Sequence, residues 1–342
     1  MTAVMLNAWP NSITGSLRPN TAKRGWHQTQ TSGHCAIRLD SSTGRRRIRQ
    51  MVPPSPMMTD GPPLAFILGL DTPAGAYLAR LLHARGQRVE GAAAQGASLL
   101  RLLGTGDDVG EVAPAEAAAA AALAGTVYLV SGEETPPSLA DAVLASASGG
   151  ARIIHVVDHQ VLRANLPAMR LSRQIVTMRQ GDGRFAANAI LHPHGSRLGR
   201  ADALPARLTL AAFEAAKSAG TGTGTARLAL ADSAPQDWGW TPEYVDAVAR
   251  LAMLPQAIDV EIGSGVAMTA HTMADHAGRW FKLDPDAWLH RLPADGADAA
   301  AAIDTGRLKA LLGWRAYTKG GELIAALCEA AAERQAALLR GG

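Results

Sequence analysis

Three groups of residues in this chain have types and spacings that could do chemistry. The first is a glycine loop, Gly69-Leu70-Asp71-Thr72-Pro73-Ala74-Gly75, set between an apolar run and a helical pattern. Such a loop turns backbone N–H groups outward at a helix N-terminus, where a phosphate is attracted by the donors and the helix dipole. Read as a dinucleotide loop of the G-x-x-G-x-x-G form, Gly69 and Gly75 take the first and third places and Thr72 the second. The middle glycine lets backbone approach the phosphates, so a Cβ and hydroxyl there crowd the ligand. An ordinary strand-to-helix turn with no ligand accounts for the same residues. The second group is Asp158 and Gln160 with His155 and His159, and the third is His192 and His194. Histidine beside carboxylate suits proton transfer near neutral pH or metal binding. The spacing matches no standard metal site, so no metal is expected. His155, facing away from Asp158 along a strand, reads as a packed or solvated residue.

The elements that must position these groups follow from periodicity. Leu64 to Leu68 is a buried strand, Ala76 to Arg85 a helix with Tyr77, Leu78, Leu81 and Leu82 on one face, and Arg88 to Ala93 the next strand. Leu99 to Leu103 is a short strand candidate. Ala113 to Leu123 is helical, Thr126 to Val130 a strand, Leu139 to Ala147 helical and Arg152 to Val157 a strand. Leu166 to Arg179 is a helix and Phe185 to Leu191 a further strand. This alternation predicts an α/β fold with a doubly wound parallel sheet of Rossmann type. Ligands on such sheets bind at the carboxyl ends of the strands. The chemistry is therefore expected at Gly69–Gly75, Ser131–Glu134, Asp158–Gln160 and His192–Gly195. From about residue 192 the elements shorten, which predicts a smaller C-terminal lobe. The boundaries are 58–195 for the dinucleotide-binding domain and 196–342 for the substrate lobe, interleaved with it.

Composition narrows the function classes. Of 342 residues, 47% are hydrophobic and 18% charged, as in a globular protein. No apolar run reaches the ~18 residues of a membrane span, so no membrane partner is expected. Cys35 and Cys328 form neither a zinc pattern nor a disulfide framework, which suits a reducing, cytoplasmic setting. The net charge of +3 belongs to the leader. Residues 1–57 carry eight Lys/Arg and one acid, leaving 25 basic against 29 acidic residues in the remainder. The folded part is thus not a nucleic-acid binder. Residues 1–57 are polar and aperiodic, and they fit a flexible tail, an organellar presequence or a start codon placed upstream. The last is favoured, because Met51, Met57 and Met58 precede the first strand.

Several segments in order carry a family resemblance: Ile67-Leu68-Gly69 with Gly75-Ala76-Tyr77-Leu78-Ala79, Val127 to Ser131, Ala187 to Gly199, Asp237-Trp238-Gly239 with Tyr244-Val245, Glu261 to Asp275, and Leu308 to Trp314. Over roughly residues 63–335 the chain resembles the extended short-chain dehydrogenases/reductases (the NAD-dependent epimerases/dehydratases). Among them it is most similar to the GDP-mannose 4,6-dehydratases. The resemblance implies NADP or NAD at Gly69, Thr72, Gly75 and Ser131. It implies a GDP-sugar near His194, Arg207 and Gln236, and catalytic positions at Asp158 and Gln160, where the family has Thr and Glu. It also implies association through helices that include Leu166 to Arg179, in a homo-oligomer or a hetero-oligomer with an intact paralogue.

The departures from that pattern decide the functional expectation. The family's Tyr-x-x-x-Lys pair removes the sugar hydroxyl proton during hydride transfer, the ammonium lowering the phenol's pKa. Here no tyrosine lies between Tyr128 and Tyr244 and no lysine between Lys23 and Lys217. The second-strand basic residues that hold an NADP ribose phosphate correspond to Ala92–Gln95, and the arginine before Asp-Trp-Gly is Gln236. The Asn before His194 and Ser196 is Pro193. The expected protein is a degenerate, catalytically impaired relative with at most a weakened cofactor and sugar-nucleotide cleft. The alternative is an active dehydratase or epimerase using atypical residues.

Overall fold

The computed structural model describes residues 64–132, 135–222, 227–293 and 302–341. Residues 1–57, Glu133 and Glu134 lie outside the described residues. Strands and helices alternate from the start: β1 (Leu64–Leu68), α1 (Pro73–Ala84), β2 (Arg88–Ala92), α2 (Ser98–Leu102), β3 (Gly110–Val112), α3 (Ala117–Ala122), β4 (Thr126–Ser131) and α4 (Pro137–Ser146). Next come β5 (Arg152–Asp158), α5 (His159–Ala164), α6 (Leu166–Gly181) and β6 (Ala186–Leu191). The remainder runs β7 (His194–Gly195), α7 (Leu204–Thr221), β8 (Leu228–Ala231), β9 (Gln236–Asp237), β10 (Gly239–Trp240), α8 (Thr241–Leu251), β11 (Val260–Ile262) and β12 (Ala267–Met268). It ends with α9 (Ala270–Phe281), α10 (Pro285–Trp288), β13 (Leu289–Leu292), α11 (Thr305–Leu312) and α12 (Gly321–Gly341).

Seven strands form one sheet in the order β11-β6-β5-β4-β1-β2-β3, and every pairing in it is parallel. The order reverses between β1 and β4, which opens a crevice at the carboxyl ends of the strands. This is the doubly wound Rossmann-type sheet that the alternation predicts. Successive residues point to opposite faces, so two apolar layers form. Ile67, Tyr128, Ile154 and Val156 pack with α1, α8 and α11 on one side. Phe66, Val127, Leu129 and Ile153 pack with Leu171 and Ile175 of α6 and with α3 and α4 on the other. A third apolar cluster joins α7, α9, α12 and Trp288, away from the sheet. Residues 61–342 nevertheless form a single compact unit.

Two segments differ from the sequence expectation. Leu99 to Leu103 is not a strand: α2 covers Ser98–Leu102. Leu100 is buried while Leu99 and Leu103 pack against the same cluster, a spacing of three and four that suits a helical face. The edge strand is instead Gly110–Val112, whose short Gly-Glu-Val sequence carries no apolar alternation. The first helix also starts earlier than its apolar face suggests. Thr72 caps it and Pro73 is its first residue, so Gly75 lies inside the first turn.

Candidate functional site

A cleft of about 970 Å³ opens at the carboxyl ends of the sheet strands. Of the residues that sequence and resemblance single out, it gathers Thr72, Ser131, Asp158, Gln160, His194 and Gln236. Gly69 and Gly75 shape the loop beneath it without lining it. Arg207 is exposed on α7 and does not line it. The cleft also takes in Asp71, Gln95 and Trp238, which the sequence marks only as parts of motifs, and Arg200 and Asp202, which it left unmarked because they belong to a loop without periodicity.

The glycine loop is bonded to itself. The Thr72 hydroxyl donates to the Gly69 carbonyl at 2.7 Å and accepts from the Gly75 N–H at 3.0 Å. Thr72 N–H donates to the Gly69 carbonyl, Ala76 N–H to the Thr72 carbonyl, and both Gly69 N–H and Leu70 N–H to the Ala92 carbonyl. Pro73, at the first helical position, has no N–H to offer. The glycines serve packing. Gly69 has φ +97°, and a Cβ on Gly75 would sit 2.1 Å from the Gly69 carbonyl oxygen. Asp71 places a carboxylate in the cleft. Its Oδ2 accepts from Ala94 N–H at 3.1 Å, while Oδ1 is buried with no partner among the described residues.

Charge around the cleft is mostly acidic. Arg200 is the only arginine or lysine among its described lining residues, and Asp202 holds its guanidinium by two hydrogen bonds of 3.0 and 2.9 Å. An NAD(P) pyrophosphate asks for free backbone donors and cationic surroundings. The loop's N–H groups named above are taken and a carboxylate stands beside them. The N–H groups of Asp71 and Ala74 find no acceptor among the described residues and both residues line the cleft, so two loop donors remain for such a group, and no chemical step here is derived through it.

At Asp158 and Gln160, the positions that the resemblance marks as catalytic, the side chains have other occupations. Asp158 caps α5, its Oδ1 accepting from Gln160 N–H at 2.7 Å. Its Oδ2 lies 3.8 Å from Nδ1 of His194, and that Nδ1–H donates to the His192 carbonyl at 2.9 Å. The Gln160 amide donates to the Gln236 amide oxygen at 3.0 Å, so two neutral side chains bridge one side of the cleft. His159 stacks on His192 with ring centroids 4.6 Å apart, and burial together with the neighbouring His192 lowers its pKa. Among the described residues no cluster of three or more His, Cys, Asp or Glu could hold a metal ion.

His155 does not join the other histidines. It is fully buried on the α6 side of the sheet, where its Nδ1–H donates to Asn188 Oδ1 at 2.9 Å. Its Nε2 then accepts the Ser131 hydroxyl at 2.8 Å. Burial drives the imidazole pKa down to about 4, so the ring is neutral and spans β4, β5 and β6 as a strut. Asn188 N–H in turn donates to Asp259 at 2.7 Å, and Arg179 clamps that carboxylate with bonds of 2.6 and 2.9 Å.

None of the four tyrosines in the sequence lines the cleft. Tyr77 is buried in the α1 layer and Tyr128 in the sheet, while Tyr317 is 64% exposed elsewhere. Tyr244 is fully buried, and burial together with the Asp237 carboxylate holds its phenol well above the usual range. The Asp237-Trp238-Gly239 and Tyr244 group is a structural lock. Asp237 is 1% exposed and accepts from Ser264 N–H and Oγ at 2.6 and 2.7 Å, from Gly265 N–H at 2.8 Å and from Ile303 N–H at 3.0 Å. A Cβ on Gly239 would lie 2.3 Å from the Tyr244 ring.

Sheet order and crevice define the chain as a Rossmann-type α/β protein whose cleft sits at the switch point of a seven-stranded parallel sheet. No protein-family model matches the sequence, and no curated protein matches it. Solved structures do share the fold. A dTDP-glucose 4,6-dehydratase from Bacillus anthracis in complex with NAD is 10% identical, with a TM-score of 0.65 over 80% of this chain and 97% of that one. A UDP-glucose 4-epimerase with UDP-glucose from Thermotoga maritima gives 10% and 0.65 over 80% and 99%. An NAD-dependent NDP-hexosamine 5,6-dehydratase involved in tunicamycin biosynthesis gives 17% and 0.63 over 80% and 98%. The likeness covers nearly the whole length of each, and at these identities it is a likeness of fold.

Proposed function

We propose that this chain is a catalytically silent relative of the nucleotide-sugar dehydratases and epimerases, of the GDP-mannose 4,6-dehydratase type. The reading is supported by the fold it shares with such enzymes and by the sequence resemblance. One observation carries the loss of catalysis: among its described lining residues the cleft has no tyrosine and no lysine. Oxidising a sugar carbinol requires a base at its hydroxyl. The positions nearest the expected place hold Asp158, engaged as a helix cap, and the Gln160–Gln236 amide pair. Loss of positioned acid/base groups removes about 10²–10⁴ in rate before any loss of cofactor binding is counted.

On this reading the cleft retains at most a weak affinity for NAD(P) or a GDP-sugar, with residues 196–342 supplying the lobe over it. The protein then acts through association with a second copy or with an intact paralogue. Helix α6 supports the latter part only in its first turn, where Leu166 is 76% exposed; Leu171 and Ile175 are buried against the chain's own sheet. A second reading, an enzyme using atypical groups, rests on Asp158 and His194 facing each other across 3.8 Å inside the cleft. The two separate in one assay. Full-length protein is incubated with NADP⁺ or NAD⁺ and with GDP-mannose, UDP-glucose or dTDP-glucose, and products are followed by mass spectrometry. A silent relative leaves every sugar nucleotide unchanged. A dehydrated or epimerised product that disappears in Asp158→Asn and His194→Gln would establish the second reading.

A further inference from the structure

Ser131, His155 and Asn188 form a hydrogen-bonded line whose proton directions are all fixed. The Asn188 Nδ2–H donates to the Ser172 carbonyl at 3.3 Å, which turns its Oδ1 toward the imidazole. That oxygen accepts the proton of His155 Nδ1 at 2.9 Å, so Nε2 carries a lone pair. The Ser131 hydroxyl must then donate to Nε2, at 2.8 Å. His155 and Asn188 are buried, whereas Ser131 is half-buried and lines the cleft. The strut that crosses the sheet therefore ends in a serine at the cleft wall, its hydroxyl proton aimed at a base in the interior. Serine, imidazole and a third group that orients the ring are the parts of an activated nucleophile.

The surroundings suit attack on a carbonyl. The glycine loop packs on the backbone at either side of Ser131: a Cβ on Gly69 would lie 2.6 Å from the Val130 carbonyl oxygen, and one on Gly132 2.8 Å from Thr72 Cγ2. The loop donors left without an acceptor among the described residues, the N–H groups of Asp71 and Ala74, belong to residues of the same cleft. Backbone donors of this kind steady a carbonyl oxygen as it gains charge. Val161 and Ala164 give the cleft an apolar stretch, while Asp158 and Asp202 disfavour an anion.

We propose that Ser131 is a nucleophile, with His155 as its base, and that the cleft hydrolyses esters of short, uncharged acyl groups. Ser131 Oγ bonds to the acyl carbon as its proton passes to His155 Nε2. The ester C–O bond then breaks, and the alcohol leaves with that proton. Water next attacks the acyl-serine and gives a proton to His155, which returns it to Ser131 Oγ as the acid departs. The Asp259 carboxylate, bonded to Asn188 N–H, favours the imidazolium formed on the way. No step oxidises or reduces a carbon, so the proposal is independent of the silence proposed toward sugar nucleotides.

The test treats full-length wild type and Ser131→Ala with p-nitrophenyl acetate and, separately, with an alkyl fluorophosphonate, which exchanges its P–F bond for a P–Oγ bond and releases fluoride. Circular dichroism confirms that the two proteins fold alike. The wild type is expected to release p-nitrophenol about tenfold faster than Ser131→Ala, or more. Peptide mass mapping is expected to place the phosphonyl group on Ser131. Labelling should stay level from about pH 6 to about pH 8, because His155 keeps its basic form down to about 4. The proposal is overturned by equal p-nitrophenol release from the two proteins or by a Ser131 that stays unlabelled. It is overturned as well by labelling that climbs about tenfold per pH unit across that range, as for an unassisted hydroxyl. Conversion of a sugar nucleotide would instead defeat the silent-relative reading and leave this proposal standing.

Discussion

At the scale of single residues, the groups that look most like chemistry serve as struts. Asp237 holds four donors from two separate segments, Ser264-Gly265 and Ile303, so Asp237→Ala leaves them unsatisfied in the interior. The expected loss is about 3–5 kcal/mol, read as a lower urea midpoint with unchanged slope. His155 makes a pH prediction. Its folded pKa of about 4 lies below the 6.5 of an unperturbed imidazole. Between those values the unfolded chain binds a proton that the folded one does not. Stability from this residue is therefore full above pH 6.5 and is lost as pH falls toward 4. The linkage is worth roughly 2 kcal/mol between pH 7.5 and pH 5. In His155→Gln this part of the slope should vanish from urea titrations across that range. The sequence marks both residues, by motif for Asp237 and by type for His155. It does not separate a hydrogen-bonded core group from a catalytic one, because burial and partners arise from strands far apart in the chain.

At the scale of elements, the strand-to-helix turn shows how one side chain organises a loop. Thr72 is a helix cap, and the helix begins at Pro73 with Gly75 packed on the Gly69 carbonyl. Gly75→Ala would drive a methyl against backbone that has no room to move. It is expected to cost 2 kcal/mol or more, roughly, whereas Gly181→Ala, with no atom within 4 Å of the added Cβ and a helical backbone, should be neutral or stabilising. Thermal melts of the two variants make the comparison. The alternation of strands and helices was legible because buried parallel strands read as apolar runs, as in Leu64–Leu68, and as in Arg152–Asp158, where only His155 interrupts the run between its polar ends. Gly110–Val112 was not, since an exposed three-residue edge strand needs no apolar side chain. The same holds for the helix at Ser98–Leu102, where a short leucine run fits either period.

At the scale of the whole molecule, the sheet fixes where any ligand must sit, and the side chains decide what can happen there. A seven-stranded parallel order with its reversal between β1 and β4 is shared with dehydratases and epimerases at 10–17% identity. Fold alone does not transmit an activity. Among the described residues no helix is long and apolar enough to cross a membrane. The cleft position was legible from strand ends, and six of the nine marked residues meet in it. Its acidic, amide-rich lining was not, because Asp71, Gln95, Arg200 and Asp202 come from loops whose meeting depends on the fold.

The central claim is that the cleft cannot take a hydride from a sugar carbinol. The most direct measurement uses GDP-mannose deuterated at C4 with NADP⁺ and the full-length protein, following by mass spectrometry deuterium in the reduced cofactor and its loss from C4 of the sugar nucleotide. The account predicts neither deuterium in the cofactor nor displacement from C4 beyond that of a protein-free control, even in single-turnover conditions with protein in excess. Deuterium transfer at a rate within tenfold of an intact dehydratase measured alongside would contradict it.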